Sequence, residues 1–327
     1  MSDKKRTTEN TFLRKIMDTN YFYVVMSLIL MIIVSTCLSP SFLTIGNFIT
    51  ILRQASILLM LSLGLTAVVL TGNIDLSVGS CAALTGCVCA QLLVSEVSMP
   101  LAMILSMSIG VIIGIINGLL VGVLRLPSFV ATYGMNMVAS GIAMIVMNGG
   151  VIYGLPSHFT YIGIGYIGPI PLPIIISGVM VLIMYVLLQK TTFGRNIYMI
   201  GFNMDAANYS AINCLGTLLA SYILCGATGS LGGIMMTARL NAADAGMSET
   251  YGLQIVAAVV MGGTSLLGGQ GGVIGTIIGA IILTIIVNIM NIVGVNSNWQ
   301  NFAVGVVIIL MVWIDIVTRT RRSKKSV

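Results

Sequence analysis

Charged residues are scarce in this chain of 327 residues, at 7% of the total, where a soluble domain has about a quarter. Histidine occurs once, at His158. There is no Gly-Lys dipeptide and therefore no Walker A phosphate-binding motif. No Ser-His-Asp, Cys-His or paired-carboxylate arrangement stands out. These absences argue against a soluble enzyme, predict no catalytic residues, and imply that any energy from ATP comes through a partner protein.

Metal and cofactor motifs are also missing. The six cysteines lie inside apolar runs, and the Cys87-x-Cys89 pair has no nearby histidine or second cysteine pair, so we expect no metal site. GIGYIG at 163–168 formally matches a dinucleotide fingerprint, but prolines follow it at once and no helix N-terminus can receive a pyrophosphate. We therefore expect the chain itself to bind no cofactor.

Long hydrophobic runs dominate what is present. Hydrophobic residues make up 57% of the chain and the mean hydropathy is +1.06. A membrane-spanning helix needs roughly 20 apolar residues, and helices satisfy their own backbone in lipid. We predict an all-α integral membrane protein, a polytopic bundle of about 10 transmembrane helices. The predicted spans are 21–38, 48–71, 75–95, 99–122, 128–148, 171–189, 214–237, 252–267, 271–293 and 299–317.

Lysine and arginine positions set the expected orientation. With the N-terminus in the cytoplasm, 13 of the 15 basic residues fall inside, and only Arg53 and Arg239 fall outside. The inside set is Lys4, Lys5, Arg6, Arg14, Lys15, Arg125, Lys190, Arg195, Arg319, Arg321, Arg322, Lys324 and Lys325. We predict a cytoplasmic N-terminal segment (1–20), one transmembrane domain (21–317) and a basic cytoplasmic tail (318–327). The net charge of +6 then reflects topology and attraction to the inner leaflet rather than nucleic-acid binding.

Glycines recur every four residues in two predicted spans, at 110–122 and at 271–279. This spacing puts glycines on one helix face and lets backbones approach closely. Core packing is the favoured interpretation, within one protomer or across a dimer.

Asp75, in TGNIDLSVG (71–79), is a carboxylate at a membrane boundary or within a predicted span. An ionisable residue in the membrane is a candidate for a role in transport. Asp is also a good helix N-cap, and Asp75 precedes a predicted helix. Both interpretations stay open. VVLTGNIDLSVGS (68–80) also faintly resembles VVMGGTSLLGG (259–269), as expected for an internal repeat with the transport path at its interface.

The segment 190–213, KTTFGRNIYMIGFNMDAANYSAIN, is a polar, charge-bearing island between apolar runs. The orientation places it in the cytoplasm, where such a segment is suited to contact a soluble partner. GFNMDAANYSAIN resembles the coupling segment of ABC importer permeases, in which a short helix docks into the ATPase. TGNIDLSVGS and GGTSLLGGQGGVIGTIIGA (262–280) closely resemble signature stretches of the ribose/galactose/xylose-type sugar permeases. LRLPSFVATYGM (124–135) and VGVNSNWQNFAVGVVIIL (293–310) fit the same family.

The resemblance, which covers about residues 45–315, implies a permease subunit of an ATP-driven importer in the prokaryotic inner membrane. Its implied partners are a cytoplasmic ATPase carrying ATP and Mg, an external substrate-binding protein, a second permease copy or paralogue, and lipid. The residues implied in coupling are Gly201, Asn203, Asp205, Ala206, Ala207, Ser210 and Ile212. Those implied in the path or gate are Asn73, Asp75, Ser77, Gly79, Gly262, Gly263, Thr264 and Ser265. The expected cargo is a monosaccharide or related small polar solute.

Three departures from the family pattern stand out. Ala211 replaces a usual glycine, and because alanine avoids positive φ we expect the local turn to differ. Ser128 replaces a usual proline. Gly252 and Gln254 stand where the family commonly has an acidic pair, near the expected external gate, which bears on the substrate class.

Other functions remain as alternatives. The first alternative keeps the family architecture but changes the cargo to a nucleoside, a polyol, a sugar-derived signal or a branched-chain amino acid. An ion-coupled secondary transporter is a second, although the predicted span interiors are nearly free of carboxylates. A channel is a third, and the docking-like cytoplasmic segment argues against it.

Overall fold

The computed structural model describes residues 22–247, 251–296, 298–307, 309–310 and 313. Its helices in chain order are α1 (Phe22–Leu38), α2 (Ile45–Leu70), α3 (Val78–Val94), α4 (Met99–Gly122), α5 (Ser128–Met147), α6 (Ser157–Ile164), α7 (Leu172–Lys190), α8 (Thr192–Phe202), α9 (Met204–Tyr209), α10 (Cys214–Leu240), α11 (Tyr251–Met261) and α12 (Val273–Ile292). Residues 298–307 are also helical. A 3₁₀ turn, Pro40–Leu43, joins α1 to α2. The predicted terminal segments 1–20 and 318–327 lie outside the described residues.

Among the described residues, six helices are long and apolar enough to cross a membrane: α2, α4, α5, α7, α10 and α12. Three shorter apolar helices, Val24–Leu38, Val78–Val94 and Tyr251–Met261, accompany them. The exposed surface carries many large apolar side chains, such as Ile104, Ile145 and Leu182. The predicted class, an all-α membrane protein, is therefore confirmed.

The predicted span boundaries agree closely with most helices; 99–122 coincides with α4. The prediction of one span over 252–267 is wrong beyond Met261, where α11 ends. Gly263, Gly268 and Gly269 have φ of 81°, 82° and 71°, so residues 262–272 form a loop instead of a helix. Hydropathy missed this break because the loop is nearly uncharged.

Helix α10 runs through the centre of the bundle and packs against α2, α3 and α4. The glycines of α4 face it: a Cβ on Gly110 would overlap Ser230, and one on Gly114 would overlap the Tyr222 carbonyl oxygen. In the second glycine series, at 271–279, a Cβ on Gly279 would overlap the Ala258 carbonyl oxygen of α11. Both stripes therefore pack helices within one protomer.

Two short antiparallel pairs lie around α6. Strand β1 (Ile152–Tyr153) pairs with β4 (Ala242–Ala243), which follows α10. Strand β2 (Tyr166–Ile167) pairs with β3 (Ile170–Pro171), which leads into α7. The GIGYIG stretch spans the end of α6 and β2 rather than opening a helix. These pairs hold the 149–171 connection against the C-terminal end of α10.

Candidate coupling and gating site

The predicted coupling segment folds as a short capped helix, α9. The Asn203 side-chain oxygen accepts a hydrogen bond from the Ala206 N–H at 3.0 Å, which caps the helix N-terminus. Asp205 lies in the first turn, where a negative charge complements the helix dipole. The Ser210 hydroxyl donates to the Ala206 carbonyl at 2.9 Å. This helix is therefore capped by, or carries on its surface, the predicted residues Asn203, Asp205, Ala206 and Ser210.

The turn after α9 corrects one expectation. The expected difference is wrong: Ala211 has φ of 57°, in the left-handed region that favours glycine. The turn is kept because the Ile212 N–H still bonds to the Ala207 carbonyl at 3.2 Å. Alanine takes this conformation at a cost of roughly 1 kcal/mol.

One face of α9 is buried and the other is open. Ala207 is fully buried and packs with Ile200, Cys214 and Ile212 in a small cluster. Phe202 and Tyr209 are 82% and 93% exposed. Phe202 ends α8 and Tyr209 ends α9, and exposed aromatic side chains of this kind are typical of surfaces that bind a protein partner.

The coupling segment is joined by backbone to both signature stretches. Gly201 ends α8 against the Leu70 carbonyl at the end of α2, and a Cβ there would overlap this oxygen. The Gly269 N–H donates to the same Leu70 oxygen at 2.9 Å. A Cβ on Gly268 would lie 2.6 Å from the Gly72 nitrogen. Glycine is required here because three backbones converge without room for side chains.

A side-chain link reinforces this junction. The Tyr198 hydroxyl, on α8, donates to the Gly271 carbonyl at 2.9 Å. Gln189, at the end of α7, donates from Nε2 to the Tyr198 hydroxyl at 3.0 Å. The end of α8 is therefore bonded directly to residues 262–272, which we call the second signature loop.

The second signature loop is held largely by its own atoms. The Ser265 N–H donates to the Gln270 carbonyl at 3.0 Å, and the Gly272 N–H donates to the Thr264 hydroxyl at 3.3 Å. Thr264 and Ser265 are 1% and 2% exposed. Gly262 packs against Gly275 of α12, whereas Gly263 is exposed.

Residues 71–77, the first signature loop, are held by neighbouring helices. The Ile74 N–H donates to the Ser128 hydroxyl at 3.3 Å, and the Leu76 N–H donates to the Thr132 hydroxyl at 3.1 Å. The Tyr222 hydroxyl of α10 donates to the Ile74 carbonyl at 3.2 Å. Ser128, which departs from the family pattern, thus supplies an acceptor that proline lacks.

Asp75 is buried, at 3% exposure. Its Oδ1 accepts from the Ser77 N–H at 2.8 Å and from the Ser77 hydroxyl at 2.6 Å, which closes an Asx turn ahead of α3. The N-cap itself is Ser77, without a side-chain capping bond. Asp75 therefore organises the loop one step before the helix.

Asn117 on α4 completes this buried polar group. Its Nδ2 donates to the Ser77 hydroxyl at 2.8 Å and, more weakly, to the Asp75 carboxylate at 3.4 and 3.5 Å. Its Oδ1 is buried without a hydrogen-bond partner. Asn117 was not predicted from the sequence, because only charged residues were considered within the predicted spans. The signal that could have identified it is an asparagine inside the predicted helix that carries the glycine series 110–122.

The predicted residues thus form two connected groups. The coupling residues lie together on α8 and α9. Asp75, Ser77, Gly79, Gly262, Thr264 and Ser265 are packed in the interior, with Asn73 and Gly263 more open. Within the described part of the chain, no cluster of three or more His, Cys, Asp or Glu side chains forms a metal site.

Comparison with known proteins matches these features to one family. The family model described as "Branched-chain amino acid transport system / permease component" matches residues 47–312. The chain therefore belongs to this family of ABC transporter permeases. It is a transport subunit rather than an enzyme, as expected.

Three individual relatives show which kinds of permease the chain is similar to. The chain is 40% identical to the ribose import permease protein of Escherichia coli K12 over 292 residues, covering 88% of this chain and 91% of the relative. The ribose import permease protein of Bacillus subtilis 168 is also 40% identical, with 89% and 91% covered. The D-allose transport system permease protein of Escherichia coli K12 is 36% identical, with 85% and 86% covered. No solved structure matches. The resemblance to sugar ABC importer permeases is confirmed.

Proposed function

We propose that this chain forms one half of the translocation path of an ATP-driven importer, and that a cytoplasmic ATPase docks on α9. One observation carries the proposal: the segment that exposes Phe202 and Tyr209, at the ends of α8 and α9, is joined through Gly201 to the backbone of Leu70 and of Gly269 in the second signature loop. A docking surface linked to the interior of the bundle is what a permease without its own ATPase motif requires.

The partners follow from this role. The ATPase carries ATP and Mg, an external binding protein delivers the solute, and a second copy or paralogue supplies the other half of the path. The chain resides in lipid, in the prokaryotic inner membrane. The named relatives, import permeases for ribose and allose, support this assembly.

Ten membrane crossings with both termini in the cytoplasm fit the helices best. Six long apolar helices, three shorter ones and the helical stretch from residue 298 give an even count. The basic residues then obey the positive-inside rule. Arg53 and Leu70 lie 17 residues apart on α2, or about 25 Å at 1.5 Å per residue, which places them near opposite membrane surfaces.

The cargo proposed is a monosaccharide or a related small polar solute. Curated relatives named for ribose and allose support it, while the family description names branched-chain amino acids. The path candidates remain the residues of the two signature loops and the start of α3, namely Asn73, Asp75, Ser77, Gly79, Gly262, Gly263, Thr264 and Ser265.

The mechanism is a population shift between outward-open and inward-open states. ATP binding closes the ATPase dimer and displaces α9, Gly201 transfers this displacement to Leu70 and Gly269, and the second signature loop follows. ATP acts only through its different affinity for the two states.

Co-purification from mild detergent tests the docking surface. Tagged wild-type chain should retain an ATPase subunit, and the Phe202→Ser/Tyr209→Ser double variant should lose it while remaining folded, since both side chains are exposed. Tyr153→Ser, which alters an exposed tyrosine in strand β1, is the matched control and should retain the ATPase. Retention of the ATPase by the double variant would refute docking on α9.

A further inference from the structure

Asp75 is an ionisable side chain in the interior of the bundle. It is 3% exposed, and the loop that carries it is bonded to α4, α5 and α10. Tyr222, which bonds to this loop, follows the first residue of α10 by eight positions, or about 12 Å at 1.5 Å per residue. A carboxylate at such a depth is costly unless hydrogen bonds and a positive charge compensate it.

The hydrogen bonds to Asp75 are those of an ionised carboxylate. The Ser77 N–H and hydroxyl both donate to Oδ1, at 2.8 and 2.6 Å, and the Asn117 Nδ2 faces the two carboxylate oxygens at 3.5 and 3.4 Å. All three groups are donors. A protonated carboxyl group would need an acceptor for its own hydrogen, whereas the polar group that faces Oδ2 is an amide nitrogen, which only donates.

The described groups that face this carboxylate carry no positive charge. The helices that enclose it, α3, α4, α5 and α10, are described over their whole length. Its titratable neighbours on α3 and α10 are the thiols of Cys81 and Cys225 and the phenol of Tyr222, which are neutral in their protonated forms. Among these neighbours, the negative charge of Asp75 is therefore uncompensated.

The Asn117 side chain supplies a second, independent observation. Asn117 is 0% exposed, and its Oδ1 is buried without a hydrogen-bond partner. The Nδ2 of the same amide bonds to the Ser77 hydroxyl at 2.8 Å, so this amide lies directly beside the carboxylate. An amide oxygen accepts hydrogen bonds and also coordinates hard cations. A spare oxygen ligand thus lies next to a buried negative charge.

We propose that Asp75, Ser77 and Asn117 bind a monovalent metal cation, sodium or potassium. Hard cations take oxygen ligands, and these side chains supply a carboxylate, a hydroxyl and an amide oxygen. One carboxylate balances one positive charge, which favours a monovalent ion over a divalent one. The irregular backbone of residues 71–77 adds carbonyl groups, which coordinate ions where membrane helices are interrupted. The cation fastens the first signature loop to α4.

The test is the thermal stability of the full chain in detergent, at constant pH and ionic strength, in sodium, potassium or choline chloride. Isothermal titration with sodium or potassium chloride, replacing choline, measures binding directly. Asp75→Asn removes the charge but keeps an acceptor for Ser77, and Asn117→Leu removes the amide oxygen. The matched control is Asn288→Leu, which removes another buried amide, bonded to Asn47 at 2.8 and 3.1 Å.

We expect sodium or potassium to raise the apparent Tm of the wild type by several degrees relative to choline, with saturation at millimolar concentrations, because a ligand of the folded state stabilises it. Asp75→Asn and Asn117→Leu should each weaken cation binding by at least about tenfold, the loss expected for one ligand to a charged group. Asn288→Leu should lower the Tm in every salt and keep the full rise on cation addition.

Several outcomes would overturn the proposal. Equal Tm values in the three salts would do so, as would the absence of saturable cation binding by folded wild type. An undiminished rise in Asp75→Asn, or an equal loss of the rise in Asn288→Leu, would do the same. A Tm that depends on pH but not on the cation would assign a proton to Asp75 instead. Should Asn117→Leu not fold, Asn117→Ala carries the comparison.

Discussion

The two signature loops bring irregular backbone into the interior of the bundle by different means. The first (71–77) is fixed by side chains of other helices: Ser128, Thr132 and Tyr222 bond to its backbone, and Asn117 bonds to Ser77. The second (262–272) is fixed mainly by its own hydrogen bonds and by glycines with positive φ. Its links to other elements include hydrogen bonds to Leu70, to the end of α11 and, through Tyr198, to the coupling segment.

This difference leads us to propose a static part and a moving part. A loop bonded to α4, α5 and α10 cannot shift without breaking several hydrogen bonds between helices. A loop that is bonded to the coupling segment, to the end of α2 and to the end of α11 can follow the coupling segment as a unit. We therefore propose that the first loop belongs to the scaffold and the second to the gate, and changes in each should have different consequences.

The largest effect is expected where the coupling segment meets the second loop. Gly201→Ala places a Cβ against the Leu70 carbonyl oxygen and 2.5 Å from the Gly269 nitrogen, so one of these backbones must move. ATP-driven uptake in proteoliposomes should fall by at least about tenfold, while ATPase binding is retained. Gly178→Ala on α7, where a Cβ meets nothing within 4 Å, should transport normally.

Asp75→Ala should act on stability. It removes the acceptor of the Ser77 N–H and hydroxyl inside the bundle and leaves buried donors unsatisfied, which costs about 3 kcal/mol. The apparent Tm in detergent should drop by several degrees. Asp205→Ala, at an exposed position, should change stability by less than about 1 kcal/mol. Equal Tm values for the two variants would contradict the proposal that the first loop belongs to the scaffold.

Tyr198→Phe tests the distinction between the two loops, because it removes a single hydroxyl group where α8 meets the second signature loop. Losing the bond to the Gly271 carbonyl costs about 1 kcal/mol. We expect uptake to fall several-fold per ATP hydrolysed, with little change in Tm. A drop in Tm with unchanged uptake per ATP would mean that Tyr198 only stabilises the fold.

The smallest effect is expected at Ala211. Replacement by glycine relieves the left-handed backbone strain and should stabilise the turn after α9 by roughly 1 kcal/mol. Hydrogen exchange of the Ile212 amide should slow. Faster exchange would show that the turn is held by its neighbours and not limited by strain.

Much of the fold follows from the sequence alone because apolar runs of membrane length are unambiguous. The α4 span was predicted to the residue, and the polar island 190–213 was placed outside the apolar runs. The end of α11 was not, because the uncharged residues that follow Met261 prolong the apolar run of the helix in the sequence. Positive φ at Ala211 was missed because the backbone hydrogen bonds of the turn, from the Ala211 and Ile212 N–H groups, override a local preference.

The site was predictable only in its parts. The signature residues were recognised by their sequence pattern. Asn117 and Thr132 were not predicted as site residues, because they lie within long apolar helices. The junction of Gly201, Leu70 and Gly269 joins positions far apart in sequence. Such a convergence depends on tertiary packing, which one sequence does not record.

The central claim is that α9 and the second signature loop move as one unit. Spin labels at Asn208 of α9 and at Leu267, both exposed, measure their separation in the assembled importer; a second pair at Asn208 and Arg125 measures motion relative to the scaffold. Five of the six cysteines are buried, so Cys37→Ser provides the labelling background. On ATP binding, the 208–267 distance should stay constant while the 208–125 distance changes. A 208–267 distance that changes as much as 208–125 would contradict the account.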